Sequence, residues 1–236
     1  MTREAVDLNA DVGEGMGDDA GLLAIVTSAN VACGGHAGDP QTMDATIKIA
    51  LERGVAVGAH PSYPGQEHFG RQSVKLAPET LERELLVQLD LLASIARASG
   101  AVLHHVKPHG ALYNDAAKDK RLAATVATAI ARFDPRLILV GLARSALLEA
   151  GEAAGLRVAG EGFCDRAYEP DGSLRPRSLP HAVYDDPRTA ASQALSLVER
   201  ADIETLCIHG DSPHALTMAK AVRTALEEAG IAVRKL

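Results

Sequence analysis

The sequence has no tryptophan, and aromatic residues supply only 3% of its 236 positions. A surface that stacks exposed nucleobases needs rings, so that mode of nucleic-acid binding is not expected. The core must instead be built from Ala, Val, Leu and Ile. A basic excess is also missing: 24 Lys plus Arg stand against 31 Asp plus Glu, a net charge of −7. That balance argues against nucleic acid or an anionic membrane as a partner. The three cysteines, Cys33, Cys164 and Cys207, are odd in number and widely spaced. With no CxxC pair, neither a zinc ribbon nor a disulfide framework is indicated. No apolar run reaches the roughly 18 residues that would suggest a membrane span. The stretch from Met1 to Asp7 lacks the apolar centre of a signal peptide, so a reducing cytoplasm is the expected compartment. A P-loop is absent too. Gly13-Glu14-Gly15-Met16-Gly17 lacks the Lys-Ser/Thr ending and does not fit GxGxxG. Any ATP must be held by other means.

What is present is alternation. Short β-type runs fall at 5–11, 28–33, 55–60, 102–107, 137–141, 156–161 and 206–209, with helical patterns between them. The clearest helix spans 78–98. Pro78 suits a first turn, and Leu81, Leu85, Leu89, Leu92 and Ile95 or Ala96 recur on one face. Asn114 is expected to cap the next helix, with Leu122, Val126, Ile130 and Phe133 on its inner side. Asp186 is expected to cap another, running to about Arg200. Asp211 or Ser212 precedes the last, which ends near Gly230. Strand and helix alternating throughout imply one α/β domain over residues 1–236, a parallel sheet covered by helices. Periodicity alone leaves an open doubly wound sheet and a closed barrel both standing. Two long loops, 61–77 and 165–185, are expected to be lids or mobile segments.

The polar residues gather at the strand ends. Six of the seven runs finish in acids, His or Lys: Asn9, Asp11 and Glu14; His36 and Asp39; His60; Lys107 and His109; Glu161, Asp165 and Arg166; His209 and Asp211. In parallel α/β folds those ends share the face where ligands bind. Each residue alone has a structural reading, since Asp caps turns and a lone His often only packs. The joint placement points to a site. Asp11, His36 and His60 form the candidate ligand set for a divalent metal such as Mg or Zn, though the same groups also serve as metal-free acids and bases. Lys107 is placed to offset an oxyanion or a phosphate. His68, His104, His181 and His214 read as loop, wall or surface residues, and His105 reads either way. Cys33 has a nucleophile reading, but a buried structural thiol is the simpler one.

At the level of motifs the chain resembles the LamB/YcsF family. The stretch from Asp7 to Gly15 is similar to the family's opening signature, and that from Ser28 to Pro40 to its second block. Gly58 to Pro64 followed by Phe69-Gly70-Arg71, and Val106 to Asn114, resemble the third and fourth. Glu161 to Tyr168 with Arg177, and His209-Gly210-Asp211, resemble the last two. Gly35 departs from the pattern, where the family usually carries Phe before the His, and 64–68 departs from its acidic, glycine-rich stretch. The resemblance implies a seven-stranded parallel (β/α) barrel of the glycoside hydrolase/deacetylase type. It also implies an ATP-dependent 5-oxoprolinase, which opens 5-oxoproline to glutamate together with two other subunit types, B and C. In that chemistry Asp11, Glu14, His60, Lys107 and His109 are the expected catalytic groups. Asn9, Arg71, Arg166, His209 and Asp211 are the expected substrate contacts, a guanidinium fork matching the substrate carboxylate. A stand-alone metal-dependent amide or polysaccharide deacetylase, and a non-catalytic protein that binds a lactam or carbohydrate, are the alternatives.

Overall fold

The structure, a computed structural model, describes residues 4–210 and 214–236. Seven strands run parallel: β1 (Ala5–Val12), β2 (Ser28–Ala32), β3 (Ala56–His60), β4 (His105–Val106), β5 (Ile138–Leu142), β6 (Arg157–Phe163) and β7 (Thr205–Ile208). Each pairs with the next, β7 pairs with β1, and β1 pairs back with β2, so the sheet closes into a barrel. Closure decides between the two architectures that periodicity left open. An eighth strand, β8 (Ala232–Val233), pairs with the start of β1. It sits on the β2 side, because the Val6 carbonyl accepts from the Arg234 N–H as the Leu8 carbonyl accepts from that of Thr27. At two residues it is too short to show an alternating pattern.

Helices α1 (Asp19–Leu23), α2 (Pro40–Glu52), α3 (Pro78–Ala98), α4 (Gly110–Ala116), α5 (Lys120–Phe133), α6 (Ala146–Ala153), α7 (Pro187–Val198) and α8 (Ala215–Glu228) cover the outside. The α3 helix has the expected bounds and buries Leu81, Leu85, Leu89 and Leu92, each stabilising by about 1.5–3 kcal/mol relative to exposure. Asp186 caps α7 as expected. Asn114 caps nothing: it lies inside α4 and its side-chain amide donates to the Gly110 carbonyl. Asp119 caps α5 instead, accepting from the Arg121 and Leu122 N–H groups. Asp211 and Ser212, the expected start of α8, lie outside the described residues. No helix among the described residues is long and apolar enough to cross a membrane.

Along β1 the side chains alternate. Val6, Leu8, Ala10 and Val12 join the core beneath the helices, so Asp7, Asn9 and Asp11 point into the barrel. The interior is therefore partly polar, and its groups satisfy one another as buried polar groups must. The Asp7 carboxylate accepts from Thr27, Ser28 and Thr205 hydroxyls at 2.8, 2.7 and 2.6 Å. Burial nonetheless raises the Asp7 pKa. Asn9 Nδ2 donates to Thr205 and to Glu161 Oε1. Asn30 Nδ2 donates to Asn9 Oδ1 and Asp11 Oδ1, and Asn30 Oδ1 accepts from His105 Nε2 at 2.8 Å. His105 thus belongs to the interior. Its ring takes the space beside Gly58, where a Cβ would come within 2.1 Å of Nε2. Burial pushes its pKa down to about 3.

Candidate functional site

At the C-terminal ends of the strands lies a cavity of about 300 Å³, near the lower end of ligand pockets. Asp11, Glu14, His60, Lys107 and His109 form its floor, and Tyr113, Phe163 and His209 its wall. Arg71, Lys118, Arg166, Arg175 and Arg177 line its rim. The floor is set by strand ends: Asp11 by β1, His60 by β3 and Lys107 by the residue after β4.

Lys107 is the electrostatic centre. Its Nζ lies 3.0 Å from Asp11 Oδ1, 2.9 Å from Glu161 Oε1, 3.3 Å from Asn9 Oδ1 and 3.1 Å from Cys207 Sγ. Burial favours the neutral amine, but Asp11 and Glu161 win and hold its pKa well above the usual lysine value. Asp11 mirrors this: burial would raise it, while His60 and Lys107 hold it well below the carboxylate range. Asn9, expected to touch substrate, sits beneath the floor with its oxygen on Lys107 and Asn30. It therefore positions the lysine. Glu161 was legible as an acid near a strand end, but its inward direction and its partner were not.

The histidines of three strand ends converge. His36 and His109 stack with centroids 3.6 Å apart and planes at 1°. His109 Nδ1 lies 2.9 Å from His60 Nε2. Glu14 Oε1 lies 2.9 Å from His36 Nε2 and 3.4 Å from His109 Nδ1. Burial lowers the pKa of both His36 and His109. Among the described residues, Glu14, His36, His60 and His109 offer four possible metal-donor atoms, all within 4.8 Å of one another. Asp11, expected among the ligands, is outside that group: its Oδ1 accepts from Lys107 and Asn30, while its Oδ2 lies 3.3 Å from His60 Nε2 at the edge of the cluster.

The 61–77 loop packs over this cluster. Gly70, at φ 60°, passes above the ring stack, where a Cβ would lie 2.9 Å from both His36 Cβ and His109 Cδ2. The departure at Gly35 also has a steric account. A Cβ there would meet Gln88 Oε1 at 2.3 Å, and the Gln88 amide instead bridges the Ser62 N–H and carbonyl. Gln88 thus occupies the space of a larger side chain at 35.

On the opposite wall, His209 Nδ1 lies 2.9 Å from Asp165 Oδ2, and the His209 backbone N–H donates to the same carboxylate. Asp165 is buried, yet His209 holds its pKa below the ordinary value. The carboxylate fixes the proton on Nδ1, leaving Nε2 as the reactive nitrogen. His209 was an expected substrate contact; its partner was unexpected. Arg166 Nε and Nη2 donate to the Ala182 and Arg175 carbonyls at 3.2 and 2.7 Å, so Arg166 also braces the 165–185 loop. Asp211 lies outside the described residues. Cys33 donates to the Val31 carbonyl, and burial pushes its pKa up to about 12, which removes the nucleophile reading.

Known proteins agree with this architecture. The family model described as "LamB/YcsF family" matches residues 6–236. A protein of Methylococcus capsulatus, named as the A-type subunit of 5-oxoprolinase, is 49% identical over 98% of this chain and 95% of its own length. The crystal structure of a lactam utilization protein from Thermus thermophilus superposes with a TM-score of 0.91 at 43% identity, covering 98% of this chain and all of that one. The catalytic domain of a peptidoglycan N-acetylglucosamine deacetylase from Eubacterium rectale superposes at 0.57 with 14% identity, covering 99% of this chain and 88% of that one. That likeness shows the barrel fold alone. Matched almost from end to end by the family model and by close relatives, the chain belongs to the LamB/YcsF family.

Proposed function

We propose that this chain is one component of an ATP-dependent 5-oxoprolinase, which opens 5-oxo-L-proline to L-glutamate while ATP becomes ADP and phosphate. Two further subunit types, B and C, complete the enzyme, and ATP is its co-substrate. The observation that carries this reading is the 49% identical, full-length relative named as the A-type subunit of 5-oxoprolinase. The cavity suits the chemistry, with a basic rim for a carboxylate and an acid/base floor for an amide.

A five-membered lactam is an unstrained amide and needs activation. Phosphorylation of the lactam oxygen by ATP makes the ring carbon electrophilic. Water adds to that carbon, the ring C–N bond breaks and the nitrogen takes a proton. The resulting acyl phosphate releases phosphate to a second water. In this scheme His209, held by Asp165 through Nδ1, moves the proton at Nε2. Lys107 offsets charge on the oxygen or phosphate. Arg71 and Arg166 hold the substrate carboxylate at the rim. Asp11 keeps Lys107 charged, and Glu14, His60 and His109 face the reacting atoms. A divalent cation on the floor would supply Lewis-acid polarisation.

The test is ATP-dependent glutamate release from 5-oxoproline, by this chain alone and then mixed with candidate partner subunits. Turnover only in the mixture is expected. No turnover in any mixture, with the partners folded and bound, would overturn the reading.

A further inference from the structure

Two backbone carbonyls fix the protonation of the floor. His60 Nδ1 lies 2.7 Å from the Lys107 carbonyl. A carbonyl has no hydrogen to give, so the ring must carry its hydrogen on Nδ1, and neutral His60 presents a bare lone pair at Nε2. His109 Nε2 lies 3.0 Å from the Phe69 carbonyl. By the same logic neutral His109 is bare at Nδ1. These two bare nitrogens face each other at 2.9 Å. Glu14 Oε1, also an acceptor, stands 3.4 Å from His109 Nδ1 and 3.9 Å from His60 Nε2. His36 Nε2 completes the group, 2.9 Å from Glu14 Oε1. Lone pairs converging in a buried site repel unless something electrophilic lies among them. A hydrogen on His36 Nε2 would pair it with Glu14 but leave His60 Nε2 against His109 Nδ1; a cation serves all four.

We infer that Glu14, His36, His60 and His109 form a site for one divalent transition metal of the zinc class. Three imidazole nitrogens and one carboxylate are a borderline-soft donor set, suited to zinc rather than to magnesium or calcium, which want oxygen ligands. His60 and His109 already have the backbone-carbonyl partners that orient metal-binding imidazoles through their other nitrogen. Asp11 Oδ2 also lies 3.3 Å from His60 Nε2, but Asp11 does not fall within 4.8 Å of all the other donors and its Oδ1 accepts from Lys107 and Asn30, so it borders the ligand set without joining it. The inference concerns occupancy of the floor and holds whichever amide the cavity takes.

The experiment is metal binding by the full chain stripped with chelator, read by equilibrium dialysis with zinc or magnesium alone and by the visible spectrum after cobalt(II) loading. The expected result is one zinc per chain, not displaced by excess magnesium, and a cobalt spectrum of low-symmetry nitrogen/oxygen ligation. Glu14→Gln and His109→Ala should each weaken zinc at least tenfold, while Asp11→Asn keeps one zinc per chain. Three outcomes would each overturn the inference: wild-type chain that unfolds cooperatively yet binds no zinc; equal zinc affinity in wild type, Glu14→Gln and His109→Ala; or loss of the metal in Asp11→Asn alone.

Discussion

Replacing Lys107 with Met removes one buried charge while keeping a flexible chain of similar length. In the wild type the ammonium lies 3.0 Å from Asp11 and 2.9 Å from Glu161, with all three side chains nearly or wholly inaccessible. The variant leaves two carboxylates in the barrel with no cation between them. Removing one partner of a buried ion pair costs about 3–5 kcal/mol. At about 2.1 cal/mol/K per residue, 236 residues give an unfolding entropy of roughly 0.5 kcal/mol/K. The melting temperature should therefore fall by about 6–10 °C. The penalty has a definite pH dependence. With Lys107 gone, one carboxylate should bind a proton more tightly folded than unfolded, so stability rises as pH falls. The slope approaches about 1.4 kcal/mol per pH unit, and most of the penalty should disappear between pH 7.5 and 5.5. Urea unfolding of wild type and Lys107→Met at both pH values checks this, with an unchanged m-value showing that the same fold is being compared. A loss under 1 kcal/mol at pH 7.5, or a loss no smaller at pH 5.5, would refute the reasoning.

Three further outcomes follow from the same geometry. Asp165→Asn should free the wrong tautomer of His209 and lower turnover of the assembled enzyme by about 10²–10⁴-fold with little change in stability, read from steady-state kinetics and thermal melts. His105, pushed down to about 3 from an unfolded value near 6.5, contributes stability that is complete above pH 6.5. That stability is lost at about 1.4 kcal/mol per unit as pH falls toward 3. His105→Gln should flatten the acid limb of the stability curve by up to one proton, measured by denaturant titration across that window. Gly70→Ala should strain a left-handed residue and press on the His36–His109 stack, costing about 1–3 kcal/mol in chemical denaturation.

Much of the fold was legible because barrel strands and helices leave strong local marks. The α3 helix could be read from its leucines and Pro78, and strand ends could be read from polar residues following apolar runs. Closure came from the family resemblance and not from periodicity, since pairing of β1 with β7 is a long-range register that no local pattern encodes. The cap at Asp119 was missed because α4 inserts a separate short helix ahead of α5, and β8 was missed because two residues carry no period. The site shows the same division. His60, Lys107 and His109 were visible as ionisable residues at strand ends, and they do share one floor. The partners Glu161 and Asp165 were harder to see. Their roles depend on which way an interior side chain points and on what another strand brings within 3 Å. Of the expected ligands Asp11, His36 and His60, the two histidines fall in the donor cluster with Glu14 and His109, while Asp11 Oδ1 is engaged by Lys107 and its Oδ2 borders the cluster at His60.

The most direct test of the account is glutamate release by the reconstituted three-component enzyme carrying His60→Ala or Lys107→Ala in this chain, with assembly verified by co-elution of the components. The account predicts that both variants still assemble and that each loses at least about a hundredfold in turnover. Unchanged turnover in both would contradict it and would place the ring-opening chemistry away from this barrel mouth.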